Sequence, residues 1–194
     1  MINSCKLVAA TQIYRRRESV IFFRLKDEFG GLSNMAARFP LQVNGVAINS
    51  SEALYQACRF SHRPDLQSEI IAQPTPMSAK AASRLHLAET RTDWTEVRID
   101  AMRWCLRVKL AQHFAVFSQL LLETGAFPIV EQSRYDAFWG AIEDGPDFLA
   151  GTNMLGQVLM ELRTMLREHG DGLQTVLPPT IPAFILCGIR IETI

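Results

Sequence analysis

Between Asp93 and Gly125 the apolar residues Trp94, Val97, Ala101, Met102, Cys105, Leu106, Val108, Leu110 and Phe114 recur at spacings of three and four. That period is helical and its apolar arc is broad, so the stretch predicts a long helix buried along one whole face. Asp93 and Glu96 stand three apart at its start, the pattern of a capping box. A break is expected near His113, and Gly125 stops the segment after Glu123. Whatever this chain folds into must be built around that helix, with Trp94 and Met102 in the core. Arg107 and Lys109, within it, read as solvated or salt-bridged.

The other elements are shorter. Residues 19–25 (S-V-I-F-F-R-L) have the β-branched and aromatic content of a strand, and residues 27–38 read as a loop. Asn44-Gly45 between short apolar flanks predicts a two-residue hairpin over 41–48. Asn49 followed by Glu52 forms a second capping-box pattern, so a helix is expected from about Ser50 to Phe60. Further helices are expected over 65–73, 77–87 and 154–168, with Pro74 and Pro76 separating the first two and Gly170 stopping the last. Residues 127–131 read as a short strand, 132–152 as largely loop, 171–182 as a Pro-containing linker, and 183–191 as strand-like. The expected fold class is therefore α+β, mainly α-helical, a single compact domain with a few short strands. Its expected organisation is an N-terminal arm over 1–17, a domain over 18–170, and a linker and strand-like tail over 171–194.

Bulk properties narrow the function. A chain of 194 residues buries roughly 70% of its unfolded surface and needs no staples to fold. Its 20 basic and 20 acidic residues cancel, so no global field draws it to nucleic acid or membrane. Cys5, Cys58, Cys105 and Cys187 lie far apart without C-x-x-C pairing, which fits reduced thiols better than disulfides or zinc. With no signal-peptide pattern and no apolar run near the ~20 residues of a membrane span, the expectation is a cytoplasmic protein.

Several chemistries fail on their motifs. No G-x-G-x-x-G follows a strand, and neither a Walker loop nor G-x-S-x-G is present. His62, His86, His113 and His169 have no metal-ligand spacing. What remains is acids and aromatics, above all Glu52, Asp136 and Trp139. Glu52 falls in the first turn of its helix, where the dipole favours a negative charge. It can serve as a cap, as a catalytic carboxylate, or as both.

These residues carry a resemblance. F-G-G-L-S-N-M (Phe29 to Met35) followed by S-S-E-A-L-Y-Q-A-C-R-F (Ser50 to Phe60) resembles the paired signature of the NADAR, or YbiA-like, family. The likeness continues through P-M-S-A-K (Pro76 to Lys80), M-R-W-C-L-R-V-K-L (Met102 to Leu110) and L-L-E-T-G (Leu121 to Gly125). It ends with I-V-E-Q-S-R-Y-D-A-F-W-G (Ile129 to Gly140) and G-T-N-M-L-G-Q-V-L-M-E-L-R (Gly151 to Arg163), and so covers about 20–167. Three positions depart from the family's usual form: Met35 replaces an aromatic residue, a glycine is missing near Ser83, and A-I-E-D-G-P-D-F replaces a glycine-rich turn.

The resemblance implies an N-glycosidase that cuts between ribose C1 and a nitrogen. It implies removal of ADP-ribose from guanine bases of DNA or nucleosides, with a cognate ADP-ribosyltransferase toxin as functional partner. The alternatives are an N-glycosidase of riboflavin-pathway ribosylamino-pyrimidine phosphates and a non-catalytic ADP-ribose-binding module. No metal and no cofactor are implied. The departure of a base passes through an oxocarbenium-like state that a carboxylate stabilises. Glu52 and Asp136 are the expected catalytic acids, and Lys26, with Lys80 second, is the candidate for attack on an opened ribose as a Schiff base. Trp139 would stack on the base. Ser33, Asn34, Gly31, Gly140, Asn153, Tyr55 and Lys80 complete the expected substrate contacts. Gly30, Gly31, Gly151 and Gly156 are expected to let backbone N–H groups approach a pyrophosphate.

Overall fold

The helix Ser51–Cys58 is buried at all eight of its residues, which is how a helix at the centre of a core behaves. The computed structural model that contains it describes residues 10–194. Most of the expected arm and Cys5 fall outside that range. The described chain divides into two compact units, one made of the residues up to Ser33 with Ala115–Gly170, the other of Asn34–Phe114 with Asp171–Ile194.

In chain order, the first unit opens with β1 (Gln12–Arg15) and β2 (Val20–Phe22). The second contributes β3 (Leu41–Val43) and β4 (Val46–Ile48), then α1 (Ser51–Cys58), α2 (Pro64–Ile71), α3 (Pro76–Leu85) and α4 (Trp94–Gln112). After His113 follow α5 (Phe114–Glu123), β5 (Ile129–Glu131), β6 (Ile142–Glu143), β7 (Phe148–Gly151) and α6 (Met154–His169). The chain closes with β8 (Ile185–Leu186) and β9 (Ile189–Arg190). The class is α+β and mainly helical, with the long helix broken at His113.

Within the second unit, α1 packs against α2, α3 and α4. The hairpin β3–β4 turns on Asn44 and Gly45, both at positive φ (50° and 76°), as a type I′ turn requires. Lys109 is fully buried, not solvated: its Nζ lies 4.8 Å from the Phe39 ring centroid. Burial pushes its pKa well below the ordinary lysine value, and the charge of Arg38 adds to the shift. The stretch read as a linker is part of this unit's core, since Leu173, Val176 and Ile181 are buried and Val176 exchanges backbone hydrogen bonds with Ile194. Phe184 meets Trp104 edge-on, with ring centroids 5.3 Å apart. The strand-like tail is the antiparallel hairpin β8–β9.

Within the first unit, β1 pairs antiparallel with β7, whose other edge takes β6. The arm expected over 1–17 is thus a paired strand at 12–15, with Tyr14 packed against Val130, Ala141 and Leu149. Residues 132–152, expected as loop, carry the hairpin β6–β7. Each strand is too short for its alternation to register in the sequence. The remaining pair, β2 and β5, is parallel. Their carboxyl ends therefore point the same way, and the Gly30–Leu32 turn and the Asp136–Gly140 loop follow from them. No described helix is long and apolar enough to cross a membrane.

Candidate active site

The cap of α1 is Ser50, whose Oγ accepts from the Ala53 N–H at 3.1 Å. Asn49 stands one residue outside, accepting from the Ser50 hydroxyl and donating to the Gln73 carbonyl. The capping box read from Asn49 and Glu52 is therefore not formed, because the helix starts one residue later and Glu52 sits in the second helical position. The box read from Asp93 and Glu96 is absent too, since the Asp93 carboxylate is held by Arg91. Thr75 and Ser78 form the box that is present.

Glu52 is 6% exposed. Its backbone N–H donates to the Asn34 carbonyl at 3.1 Å, leaving the side chain free of cap duty. Oε1 accepts from Gln56 Nε2 at 2.8 Å and lies 3.8 Å from Lys80 Nζ. A carboxylate only accepts, so Gln56 must turn its amide NH2 toward Glu52 and its oxygen elsewhere. That oxygen accepts from the buried Ser83 hydroxyl at 2.6 Å. Ser83, one of the departures noted above, thereby holds Gln56, which holds Glu52.

Around this carboxylate, buried polar atoms stand without partners. Asn34 donates through Nδ2 to Met102 Sδ, while its Oδ1 has none, and neither has Ser51 Oγ. Such atoms cost about 1–3 kcal/mol each when buried and unmet, and they mark where a polar ligand would be received. Tyr55 and Trp94 pack with ring centroids 5.2 Å apart. Burial pushes the Tyr55 phenol well above its ordinary pKa, so it stays protonated. Arg59 lies over the other partner of that pair, its guanidinium carbon 5.4 Å from the Trp94 centroid.

Of the residues expected from the sequence, Glu52, Asn34, Tyr55 and Lys80 belong to this unit. Gln56, Ser83 and Arg59 were missed. The available signal was spacing, since Gln56 and Arg59 follow Glu52 by four and seven residues, one and two turns along the same face.

Lys26, Gly31, Ser33, Asp136, Trp139, Gly140 and Asn153 belong to the other unit. Lys26 is exposed and lacks the desolvated surroundings a nucleophilic lysine needs. Gly31 and Ser33 are buried at the Gly30–Leu32 turn. Asp136 Oδ1 accepts from the N–H groups of Phe138 and Trp139 at 3.0 and 2.8 Å, which fixes its own loop. The Trp139 ring is half-buried and meets Phe138 edge-on. Asn153 adopts φ 51°, accepts from Glu131 N–H and donates to the Ile129 carbonyl, so its amide is engaged by β5 rather than offered to a substrate. Of the glycines expected to approach a pyrophosphate, Gly30, Gly151 and Gly156 are closely packed: a Cβ would stand 2.5 Å from the Arg24 oxygen on Gly30, 2.5 Å from the Gly140 oxygen on Gly151 and 2.1 Å from the Ile129 oxygen on Gly156. The α6 N–H groups of Met154 and Leu155 are taken by the carbonyls of Phe138 and Trp139.

Comparison with known proteins gives this geometry a context. The family described as NADAR domain matches residues 21–167. The N-glycosidase YbiA of Escherichia coli (strain K12) is 37% identical over 145 residues, covering 75% of this chain and 86% of that protein. A riboflavin biosynthesis protein of Vibrio vulnificus (strain YJ016) is 36% identical over 78% of this chain, which spans 40% of the relative. Among solved structures, the NMR structure of the E. coli protein YbiA superposes with a TM-score of 0.66 at 34% identity, covering 79% of this chain and 91% of that one.

Proposed function

The chain belongs to the NADAR family, and from that premise we propose that it is an N-glycosidase whose reaction is centred on Glu52. The observation that carries the reading is the Glu52 carboxylate, buried, held by Gln56 and flanked by Lys80. In the reaction the C1–N bond breaks with its electron pair leaving on the nitrogen. Positive charge then develops at C1 and the ring oxygen. A fixed carboxylate in a water-poor setting stabilises that charge more than it stabilises the neutral ground state, which is the condition for catalysis. The same carboxylate can take a proton from the water whose oxygen joins C1, while the departing base gains a proton. Lys80, at 3.8 Å from Oε1, complements the carboxylate's charge.

The substrate we infer is ADP-ribose joined to guanine, in DNA or a nucleoside. Asp136 and Trp139 enter through the family resemblance alone, as a second carboxylate and a stacking indole. A second reading, action on a ribosylamino-pyrimidine phosphate, is supported by the riboflavin biosynthesis relative. The deciding experiment offers the protein ADP-ribosyl-guanine DNA and the ribosylamino-pyrimidine phosphate in parallel and follows release of ADP-ribose or base by chromatography. Release from the first supports the inferred substrate, and release from the second alone replaces it. Tight ADP-ribose binding with release from neither would make the protein a binding module.

A further inference from the structure

Net charge is zero over the chain, yet cations gather at the Glu52 centre. Lys80 is beside the carboxylate. Arg59 lies over Trp94, and Arg98 follows Trp94 by one turn of α4. Arg84 follows Ser83, whose hydroxyl reaches the Gln56 that holds Glu52. Burial makes the charge of Arg59 harder to hold, Arg84 and Arg98 are close enough to add to that, and Glu52 acts in the opposite sense. Among the described residues the side chains of Arg59 and Arg84 form no ion pair or hydrogen bond, and Arg59 Nε is buried without a partner. Elsewhere in this unit Arg63 bridges to Asp65 and Glu89, and Arg91 to Asp93. An unmatched guanidinium group in a neutral protein is a cost unless an anion completes it.

We propose that Arg59, Arg84 and Arg98 form the subsite that receives phosphate oxygens of the substrate, resting on the N-glycosidase reading of Glu52. Three features converge. Guanidinium groups bind phosphate through paired N–H donors, and Arg59 has an unmet one. Arg59 stands seven residues along α1 from Glu52, about 10 Å at helical rise. On one helical face, the two side chains can approach opposite ends of one ribose phosphate. A substrate anion near a buried carboxylate would otherwise be repelled, and the arginines offset that repulsion.

The test measures binding of ADP-ribose, ribose 5-phosphate and adenosine by calorimetry, for the wild-type chain and for Arg84→Gln, Arg59→Gln and Arg59→Lys. Arg84 is exposed on α3, so its variant keeps the test alive should Arg59→Gln melt early. The wild type is expected to bind the phosphate-bearing ligands. Each Gln variant should weaken them by about tenfold, the loss of one charged hydrogen bond, with adenosine little changed. Arg59→Lys should recover part of the loss. A stronger effect on ADP-ribose marks a diphosphate subsite, and an equal effect marks a monoester subsite. Unchanged phosphate binding in both Gln variants, or no binding of either phosphate ligand by the wild type, overturns the subsite. Turnover separates the two readings. Variants that turn over with unaltered KM leave the glycosidase standing without this subsite, and arginine-dependent binding without turnover of any ribosylated substrate leaves the subsite without the glycosidase.

Discussion

Gln56 donates to Glu52 across one turn of α1 at 2.8 Å. Its own oxygen is fixed by Ser83 from α3 at 2.6 Å, so the orientation of the candidate catalytic carboxylate is set by a helix other than its own. Substitution along this relay should affect turnover more than binding. Gln56→Leu removes a hydrogen bond to a charged group, worth about 1.5–3 kcal/mol, and should lower kcat roughly 10- to 100-fold. Ser83→Ala frees the amide to rotate and should have a smaller effect of the same kind, with KM unchanged. Steady-state kinetics of both variants checks this.

Lys109 makes a prediction about pH. Its folded pKa is lowered by burial, so between that lowered value and the ordinary lysine value the unfolded chain binds more protons than the folded one. Stability from this group therefore rises with pH through that window. Lys109→Met, similar in length and without the charge, should raise the melting temperature near neutral pH by about 2–4 °C, the equivalent of ~1 kcal/mol for a chain of this size. The gain should shrink as pH climbs through the window. Thermal melts of both proteins across pH 7 to 10 read the sign directly.

Gly156 separates packing from ligand contact. The Cβ of Gly156→Ala would stand 2.1 Å from the Ile129 backbone oxygen, so α6 would have to move away from β5. Denaturant unfolding should show a loss of about 3 kcal/mol or more. ADP-ribose affinity, measured where the variant is still folded, should be unaffected.

Asp136 fixes its loop through Oδ1, which accepts from Phe138 and Trp139. Asp136→Ala leaves two N–H groups unmet and should cost about 1–3 kcal/mol in denaturant unfolding. Asp136→Asn keeps the acceptor oxygen and should hold the loop.

The helices were legible because their signals are local and redundant. Asn44-Gly45 announced its hairpin, and the apolar period from Trp94 announced the long helix and its break. The strands β1, β6 and β7 were not legible, since two to four residues each carry too little alternation and their pairing is long-range. Glu52 was found through its surroundings in the chain, and of the two roles read for it the cap falls away. A cap assigned one residue early made it a capping partner, whereas Ser50 does that work and leaves the carboxylate to Gln56 and Lys80. The arginines escaped because a cluster drawn from α1, α3 and α4 has no signature in any one of them. Lys109 escaped because nothing in the sequence distinguishes a buried lysine from a solvated one on a helix with so broad an apolar arc.

The most direct measurement is turnover by Glu52→Gln on ADP-ribosyl-guanine DNA, with a thermal melt of the same preparation. The side chain keeps its length and an oxygen for Gln56, and loses the negative charge. The account predicts a variant that melts close to the wild type and releases ADP-ribose at least about a hundredfold more slowly. A variant that keeps full turnover and loses only stability would show Glu52 to be a structural residue and contradict the account.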